Sequence, residues 1–313
     1  MLSRTAENIY WLSRYIERAE NTARIIDAAS RLAALPIGYG GSSNEWESAL
    51  AATGSLPAFQ SHYDFATAEN VVEFLAFSST NPSSIRNCLE VARANARAIR
   101  TALTTEMWEA INSAWLELKA QSSRGLALAG LSDFLRFVKQ TSLTFDGSAY
   151  RTMLRNDAYY FSRIGVYIER ADATARIIDV KYHVLLPPGA PVGGSLDYFQ
   201  WSSILRSVSA LTAYHWVYRE NLKPWLVADL LILNAEMPRS IASCYDNLTR
   251  YLDLLARDYG RQGPSQRLSR ATASKLDSAK IDEIFQSGLH EFLTELIDAN
   301  NRLGATISEQ YLV

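Results

Sequence analysis

The sequence predicts an all-α helical bundle that is built from a tandem duplication of about 150 residues. Apolar residues recur at steps of three and four along nearly the whole chain, which is typical of amphipathic helices. Alternation of apolar and polar residues, the pattern of a half-buried strand, is scarce. In addition, YIERAENTAR at residues 15–24 returns as YIERADATAR at residues 167–176. Helices without strands indicate a helix-on-helix architecture, and the repeat indicates two related halves.

The repeat continues beyond these ten residues. FSSTNPSSIRNCL at residues 77–89 matches LNAEMPRSIASCY at residues 233–245, and GLSDFL from Gly130 resembles GLHEFL from Gly288. The offset between matched residues drifts only from 152 to 156 and then to 158. We therefore predict a single domain over residues 1–313 with internal repeats at 1–150 and 151–313, interlocked around a pseudo-twofold axis, with the seam near residues 145–151.

The first helix is predicted to begin at Ser3 or Thr5, both acceptable N-caps, and to end before Pro36. Its counterpart in the second half is predicted from about Asp157 to Val184. The expected core stripe of the first helix consists of the apolar residues at helical spacing, namely Ile9, Leu12, Ile16, Ala19, Ala23 and Ile26.

Two prolines mark the start of a further helix in each half. Pro82 and Pro238 occupy matched positions ahead of long amphipathic segments. Because proline is tolerated at the first helical position, we expect each of them to open a helix.

A charged face recurs on the two matched helices. On a helical wheel Glu17 and Arg24 project opposite the apolar stripe, and Arg18 lies at its margin. The core does not require these residues, yet they reappear in the second half, so we expect another group to contact this face. The candidate binding residues are Glu17, Arg18, Glu20, Arg24, Glu169, Arg170, Asp172 and Arg176.

Three interpretations of this face remain open. It is a structural ion-pair network, with Glu20–Arg24 and Asp172–Arg176 as i,i+4 pairs and a bridge from Glu17 to Arg170. Alternatively, it is a site at the pseudo-twofold axis, where arginines hold a carboxylate or phosphate and glutamates bind an amine or act as bases. The third interpretation is a carboxylate metal site, but such bundles use Glu-x-x-His, which neither motif contains.

Composition excludes several other functions. Lys plus Arg total 31 and Asp plus Glu total 33, so no net positive field favours nucleic acid. The chain has no apolar run long enough for a membrane helix and no signal-peptide pattern at its start, so we predict a cytoplasmic protein without membrane contact. Its two cysteines and four scattered histidines have no metal-ligand spacing, and nucleotide or nucleophile signatures are absent. No cofactor or metal is expected.

The motifs YWLSRYIERAENTAR and NPSSIRNCLEVARANARAIR resemble the bacterial alpha-E family, an all-helical domain named for its Glu-Arg motif. The resemblance covers essentially the whole chain. It implies that Glu17, Arg18, Glu169 and Arg170 are the motif residues. The second copy departs from the first where Arg163 stands opposite Trp11, which argues against a strictly symmetric site.

The resemblance also implies a setting. Family members are typically encoded beside, or fused to, a circularly permuted ATP-grasp protein and a transglutaminase-like peptidase. The leading hypothesis is thus a non-catalytic or co-catalytic partner of an ATP-grasp amide or peptide ligase system, with a peptide or amino-acid ligand. One alternative is an enzyme that acts on a peptide or amino-acid conjugate with Glu17 or Glu169 as acid-base groups. The other is a structural helical oligomer.

Overall fold

The computed structural model describes residues 1–34, 45–122, 130–183 and 194–312 of the chain. In these ranges it contains fifteen α-helices and no β-strand, so the predicted all-α class is confirmed. None of the helices in the described ranges combines the length and the apolar character that crossing a lipid bilayer requires.

Seven of these helices lie in the described part of the first half. They are α1 (Ser3–Ala33), α2 (Glu45–Ala52), α3 (Leu56–Gln60), α4 (Ala68–Ala76), α5 (Ile85–Ala98), α6 (Thr105–Ser122) and α7 (Leu131–Thr152). The remaining eight are α8 (Asp157–His183), α9 (Ser195–Ser207), α10 (Leu211–Tyr218), α11 (Pro224–Ile232), α12 (Ile241–Asp258), α13 (Pro264–Ser278), α14 (Ile281–Ser287) and α15 (Leu289–Ile307). Helix α1 begins at Ser3, one of the two predicted starts, but its N-cap is Leu2 and no side chain caps it, so the predicted capping role of Ser3 or Thr5 is wrong. Val184, the predicted end of α8, lies outside the described residues.

Helices α1 and α8 form the centre of the bundle and pack directly on each other. Helix α1 also packs on α5 and α7, while α8 packs on α12 and α15. Around them α6 bridges α5 to α7, and α13 bridges α12 to α15 in the same way. The order of packing is therefore the same in both halves. The duplication itself stays a prediction from the sequence.

The central position of α1 explains its two buried faces. The predicted stripe from Ile9 to Ile26 is buried in the hydrophobic core, as expected. Glu17, Glu20 and Arg24 on the opposite side are buried as well, because α8 and α9 cover that side. The expectation that another group contacts the charged face is thus confirmed, and that group is the rest of the bundle.

A glycine sets the distance between α1 and α8. A Cβ atom on Gly165 would lie 2.4 Å from the backbone oxygen of Tyr10, so only glycine allows the two backbones to approach this closely. Beside this contact the hydroxyls of Ser13 and Ser162 share a hydrogen bond of 2.9 Å. The pairing places the Glu-Arg residues of the two helices, one turn further along, next to each other.

The prediction that Pro82 and Pro238 open helices is wrong by three residues. Helices α5 and α12 begin at Ile85 and Ile241, and Ser84 and Ser240 are their N-caps, each accepting a backbone N–H through its hydroxyl. Both prolines lie in tight turns that close just before the caps, where Ser84 N donates to Asn81 O at 3.0 Å and Ser240 N to Met237 O at 2.9 Å. A serine cap satisfies an otherwise unpaired helical N–H, which proline cannot do.

The predicted seam at residues 145–151 falls inside α7, which continues to Thr152. The chain leaves its helical path only between Met153 and Asn156, before α8 begins. Gly147, within this segment, is a helical residue at which an added Cβ atom would have no neighbour within 4 Å. Phe145 and Ala149 on either side of it are buried, so core packing keeps the helix intact across the glycine.

Candidate functional site

The two Glu-Arg motifs exchange partners across the α1–α8 contact. Arg170 Nε and Nη2 donate to the two carboxylate oxygens of Glu17, each at 2.9 Å. In the opposite sense Arg18 Nε and Nη2 donate to Glu169 at 2.5 and 3.0 Å. Both pairs are bidentate, the strongest geometry for this type of ion pair. The predicted bridge between Glu17 and Arg170 is present, and it has a reciprocal twin.

Each motif carboxylate also binds a second arginine, which the motif does not contain. Arg239, at the turn before α12, donates to Glu17 at 3.2 Å and also to Glu20. On the other side Arg14 donates to Glu169 at 2.8 Å. These two arginines come from unrelated positions of the two halves, so the site is not strictly symmetric.

The remaining candidate residues form the predicted i,i+4 pairs. Arg24 donates to Glu20 at 2.7 Å, and Arg176 donates to Asp172 at 2.6 Å. Each arginine also anchors a neighbouring turn, since Arg24 donates to the backbone oxygen of Ser207 and Arg176 to that of Ala52. These acceptors are the last residues of α9 and α2. The eight candidate residues thus form three ion-paired groups around the α1–α8 contact, which are together termed the network. The first joins Glu17, Glu20, Arg24 and Arg170 through Arg239, the second joins Arg18 and Glu169, and the third joins Asp172 and Arg176.

The network holds its glutamates in the ionised form. Burial alone would raise the pKa of Glu17, but the guanidiniums of Arg170 and Arg239 lower it to about 2. Burial likewise opposes ionisation of Glu169, and Arg18 and Arg14 outweigh it, so the pKa of this carboxyl is lowered too. Two ionised carboxylates surrounded by guanidiniums serve as counter-ions at neutral pH.

Two buried thiols lie under the exchanged pairs. Cys88 interacts electrostatically with Arg18 and Glu169, and Cys244 with Arg170 and Glu17. Burial raises the pKa of both thiols to about 12, with the nearby arginine opposing the shift only in part. Because the thiolate is the reactive form, neither cysteine is suited to act as a nucleophile.

A cavity of about 250 Å³ opens on one side of the network, where α1, α8 and the turn after α2 meet. Four candidate residues line it, namely Arg18, Glu169, Asp172 and Arg176. Glu17, Glu20, Arg24 and Arg170 are not part of its lining. The rest of the wall contains Arg14, Asn21, Thr22, Ile25, Thr53, Ser55, Leu75, Ser83, Ala173 and Asn301.

Asn21 is the unusual member of this wall. Its side chain is buried, with 5% exposed, yet neither its amide nitrogen nor its amide oxygen has a hydrogen-bond partner among the described residues. Leaving a buried polar group unpaired costs about 1–3 kcal/mol. A buried carboxamide that lines a cavity and has unused donors and an unused acceptor is suited to a polar ligand.

Comparison with known proteins identifies the domain. The family described as a predicted alpha-helical domain with a conserved ER motif, Alpha-E, matches residues 1–312. This chain belongs to the Alpha-E family. The ER motif of the description occurs twice here, as Glu17-Arg18 and Glu169-Arg170.

The chain is also similar to mycobacterial proteins. The uncharacterized proteins Mb2597 of Mycobacterium bovis and Rv2567 of Mycobacterium tuberculosis are each 22% identical to it over 317 aligned positions. The alignments cover 94% of this chain and 35% of those proteins, so the Alpha-E chain spans about a third of the length of these relatives. No solved structure matches it.

Sequence reasoning missed four residues of the Alpha-E site, Arg14, Asn21, Ser83 and Arg239. A signal for them exists in the repeat itself. At the matched positions the other half has Val166 for Arg14, Ala173 for Asn21, and Arg239 for Ser83. Mismatches inside an otherwise matched motif mark the places where the two halves of the site differ.

The histidines whose side chains the structure describes do not join this site. His62 bonds locally to Ser61 and the Ala58 carbonyl, His290 pairs with Asp179 at 2.7 Å, and His215 is exposed. The side chain of His183 lies outside the described residues. In the part of the chain that the structure describes, no three His, Cys, Asp or Glu side chains are grouped so that they could hold a metal ion.

Proposed function

We propose that this Alpha-E domain is a non-catalytic or co-catalytic partner of an ATP-grasp amide or peptide ligase system. The observation that carries the proposal is the exchange of ion pairs between the two ER motifs. Every motif carboxylate is bound by two or more guanidinium groups, so the motif builds a fixed, polar framework. A framework of this kind supports a role in binding and positioning a substrate for another protein.

The alternative of an enzyme with Glu17 or Glu169 as acid-base group is disfavoured by the same contacts. A general base works best when its pKa lies near the operating pH. The pKa of Glu17 is held at about 2, and that of Glu169 is also lowered. Carboxylates so strongly stabilised as anions are weak bases, which leaves the covalent chemistry to the partner.

In the proposed system the ATP-grasp protein activates a carboxylate with ATP, and the Alpha-E domain presents the amino-acid or peptide substrate. A transglutaminase-like peptidase is the proposed second partner, which would trim or transfer the product. Both partners follow from the family resemblance. The polar cavity beside Glu169 supports the substrate-presenting role, because charged groups of both signs line it.

The test is an ATP-turnover assay with a circularly permuted ATP-grasp protein from the same organism and a panel of amino-acid or peptide acceptors. We expect the wild-type Alpha-E chain to raise acceptor-dependent turnover and folded Glu169→Gln to fail. The matched control is Glu295→Gln, since Glu295 is an exposed glutamate that pairs with Lys275 on the surface. Circular dichroism verifies that each variant is helical. Turnover that is the same with and without the wild-type chain would reject the partner role, and a structural oligomer would then be the next hypothesis.

A further inference from the structure

The two halves of the network place equivalent groups around each ER motif. They differ in whether a side chain fills the space beside the motif glutamate. Around Glu17 the acidic partner is Glu20, and around Glu169 it is Asp172. The turns that accept from Arg24 and Arg176 have the same backbone path. Ala210 N donates to Leu205 O at 2.7 Å, just as Ser55 N donates to Leu50 O at 2.8 Å.

These turns also share an unusual conformation. Ser209 has φ of 59°, and Gly54 at the matching place has φ of 66°. The equivalence of the two half-sites therefore extends from the motif residues to the loops that enclose them. The half-site around Glu17 is termed the closed half-site, and the one around Glu169 the open half-site.

Arg239 closes the first of them. Its guanidinium lies between the carboxylates of Glu17 and Glu20 and donates to both. The matched residue of the other half is Ser83, which lines the cavity and is not among the hydrogen-bond partners of Glu169 or Asp172 in the described ranges. The open half-site thus exists because a serine replaces an arginine.

The walls differ in the same direction. Thr53 and Ser55 line the open half-site, and in the turn after α9 their places are taken by Val208 and Ala210. Asn21 lines the open half-site, and its counterpart in the repeat is Ala173. The closed half-site is filled by Arg239 and has apolar residues at the positions where the open half-site has hydroxyl groups. The open half-site contains the polar cavity and the buried Asn21 amide that has no partner among the described residues.

We propose that the open half-site binds the carboxylate end of an amino acid, either free or as the C-terminal residue of a peptide. Three guanidiniums and two carboxylates line the cavity, so its net charge is +1 before any ligand enters. Arg18 Nη1 and Arg14 Nη2 have no acceptor among the described residues and are available to a carboxylate. An anionic group therefore neutralises the lining, and guanidinium is the side chain that binds carboxylate best.

The acceptors in the wall select against a simple anion. Within the described ranges the amide oxygen of Asn21 has no donor, and the Asp172 carboxylate is bound only by Arg176. An amino group or a peptide N–H beside the ligand carboxylate satisfies these acceptors, whereas a phosphate ion offers them little. The cavity volume of about 250 Å³ lies just below the range of about 300–1,000 Å³ that is usual for ligand sites, so the cavity suits a single residue. For its biological role this inference rests on the proposed function, but the binding does not require the ligase.

Isothermal titration calorimetry on the full chain tests the assignment. The probes are the free amino acids, tripeptides with a free C-terminus, the same tripeptides with an amidated C-terminus, and inorganic phosphate. We expect wild-type and Ser83→Ala to bind at least one free amino acid or free-carboxylate tripeptide. Ser83→Arg, which reproduces the Arg239 arrangement in the open half-site, should weaken binding at least about tenfold. Whether free amino acids or peptides bind distinguishes the two sources.

Asn21→Ala serves as a second variant, because Ala173 shows that alanine is accepted at the matched position. It should also weaken binding about tenfold and settles the matter if Ser83→Arg does not fold. Three results would overturn the assignment. They are failure of every carboxylate probe to bind, binding by Ser83→Arg that is as tight as that of the wild type, and a preference for phosphate or amidated peptides. Binding without an effect on ligase turnover would keep the site and reject the partner role. An effect on ligase turnover without binding of any carboxylate probe would keep the partner role and reject the site.

Discussion

At the scale of single residues, the central feature is a set of buried charges that depend on each other. The side chain of Glu17 is only 2% exposed, and its partners Arg170 and Arg239 are 11% and 12% exposed. Removing one member of such a group leaves the others charged and unsolvated, which costs more than the intact group contributes. The free energy lost on removing a motif glutamate therefore depends on how well its arginine partners are shielded from water.

We predict that Glu17→Gln lowers the free energy of unfolding by about 3–5 kcal/mol, since it leaves Arg170 and Arg239 buried without their shared counter-charge. Glu169→Gln should cost less, because its partners Arg14 and Arg18 are 16% and 25% exposed and water can solvate them. Urea denaturation followed by circular dichroism measures both. Equal losses, or a stable Glu17→Gln variant, would contradict this ranking.

The same carboxylates predict how stability depends on pH. The folded pKa of Glu17 is about 2 and lies below its ordinary value of 4.5, and that of Glu169 is lowered as well. Their stabilisation is therefore complete above about pH 4.5 and is lost as the pH falls towards 2. We expect the free energy of unfolding to fall steeply over this window, and less steeply in Glu17→Gln. Parallel pH curves for the two proteins would show that Glu17 does not titrate as described.

At the scale of elements, the position of the site depends on how closely α1 and α8 approach. Gly165 permits this contact, since any Cβ there meets the backbone of Tyr10. A backbone atom cannot move aside as a flexible side chain can, so a larger residue must push the helices apart. The exchanged ion pairs one turn away would then lose their bidentate geometry.

Gly165→Ala is accordingly predicted to destabilise the protein by about 1–3 kcal/mol, the usual cost of overpacking. Gly147→Ala in α7 is the control, because a Cβ there meets nothing within 4 Å. Replacing a helical glycine by alanine in open space should stabilise by about 0.5–1 kcal/mol. Thermal unfolding of the two variants should thus shift in opposite directions. Stabilisation by both substitutions would mean that helix propensity, and not the close contact, governs the effect at Gly165.

The element scale also shows where sequence reasoning reaches its limit. The stripe with Ile9, Leu12 and Ile16 predicts α1 and its buried face, because periodicity is a local property. The bridge from Glu17 to Arg170 could be proposed because both residues belong to a visible repeat. Arg239 could not be placed, since its contact with Glu17 joins residues 222 positions apart and depends on how α12 docks on α8, the neighbour of α1. The cavity could not be predicted either, because it lies where the short side chain of Ser83 takes the place of an arginine such as Arg239.

At the scale of the whole molecule, the two halves share one hydrophobic core. The core cluster runs through α1, α5, α8 and α12 without a break between the halves. Cys88 on α5 and Cys244 on α12 are completely buried in it, one in each half. A core that both halves build together should be lost in one step.

We therefore predict that both thiols are protected from a thiol reagent in the native protein and become reactive at the denaturant concentration at which helical structure is lost. Burial and the raised pKa of about 12 both oppose reaction in the folded state. The measurement is labelling by mass spectrometry across a urea series, with the circular dichroism signal as reference. Labelling of one cysteine well before the other would show that the halves unfold separately.

The central claim is that the two ER motifs hold the halves together by exchanging partners. A double-mutant cycle on Arg18→Gln and Glu169→Gln measures it directly. The control is a cycle on Glu169→Gln and Arg170→Gln, since these two residues are adjacent in sequence but their side chains form ion pairs with other residues. The exchange predicts a coupling free energy of about 0.5–3 kcal/mol for Arg18 with Glu169 and much less for the control pair. Coupling within one motif and none between the motifs would contradict the exchange.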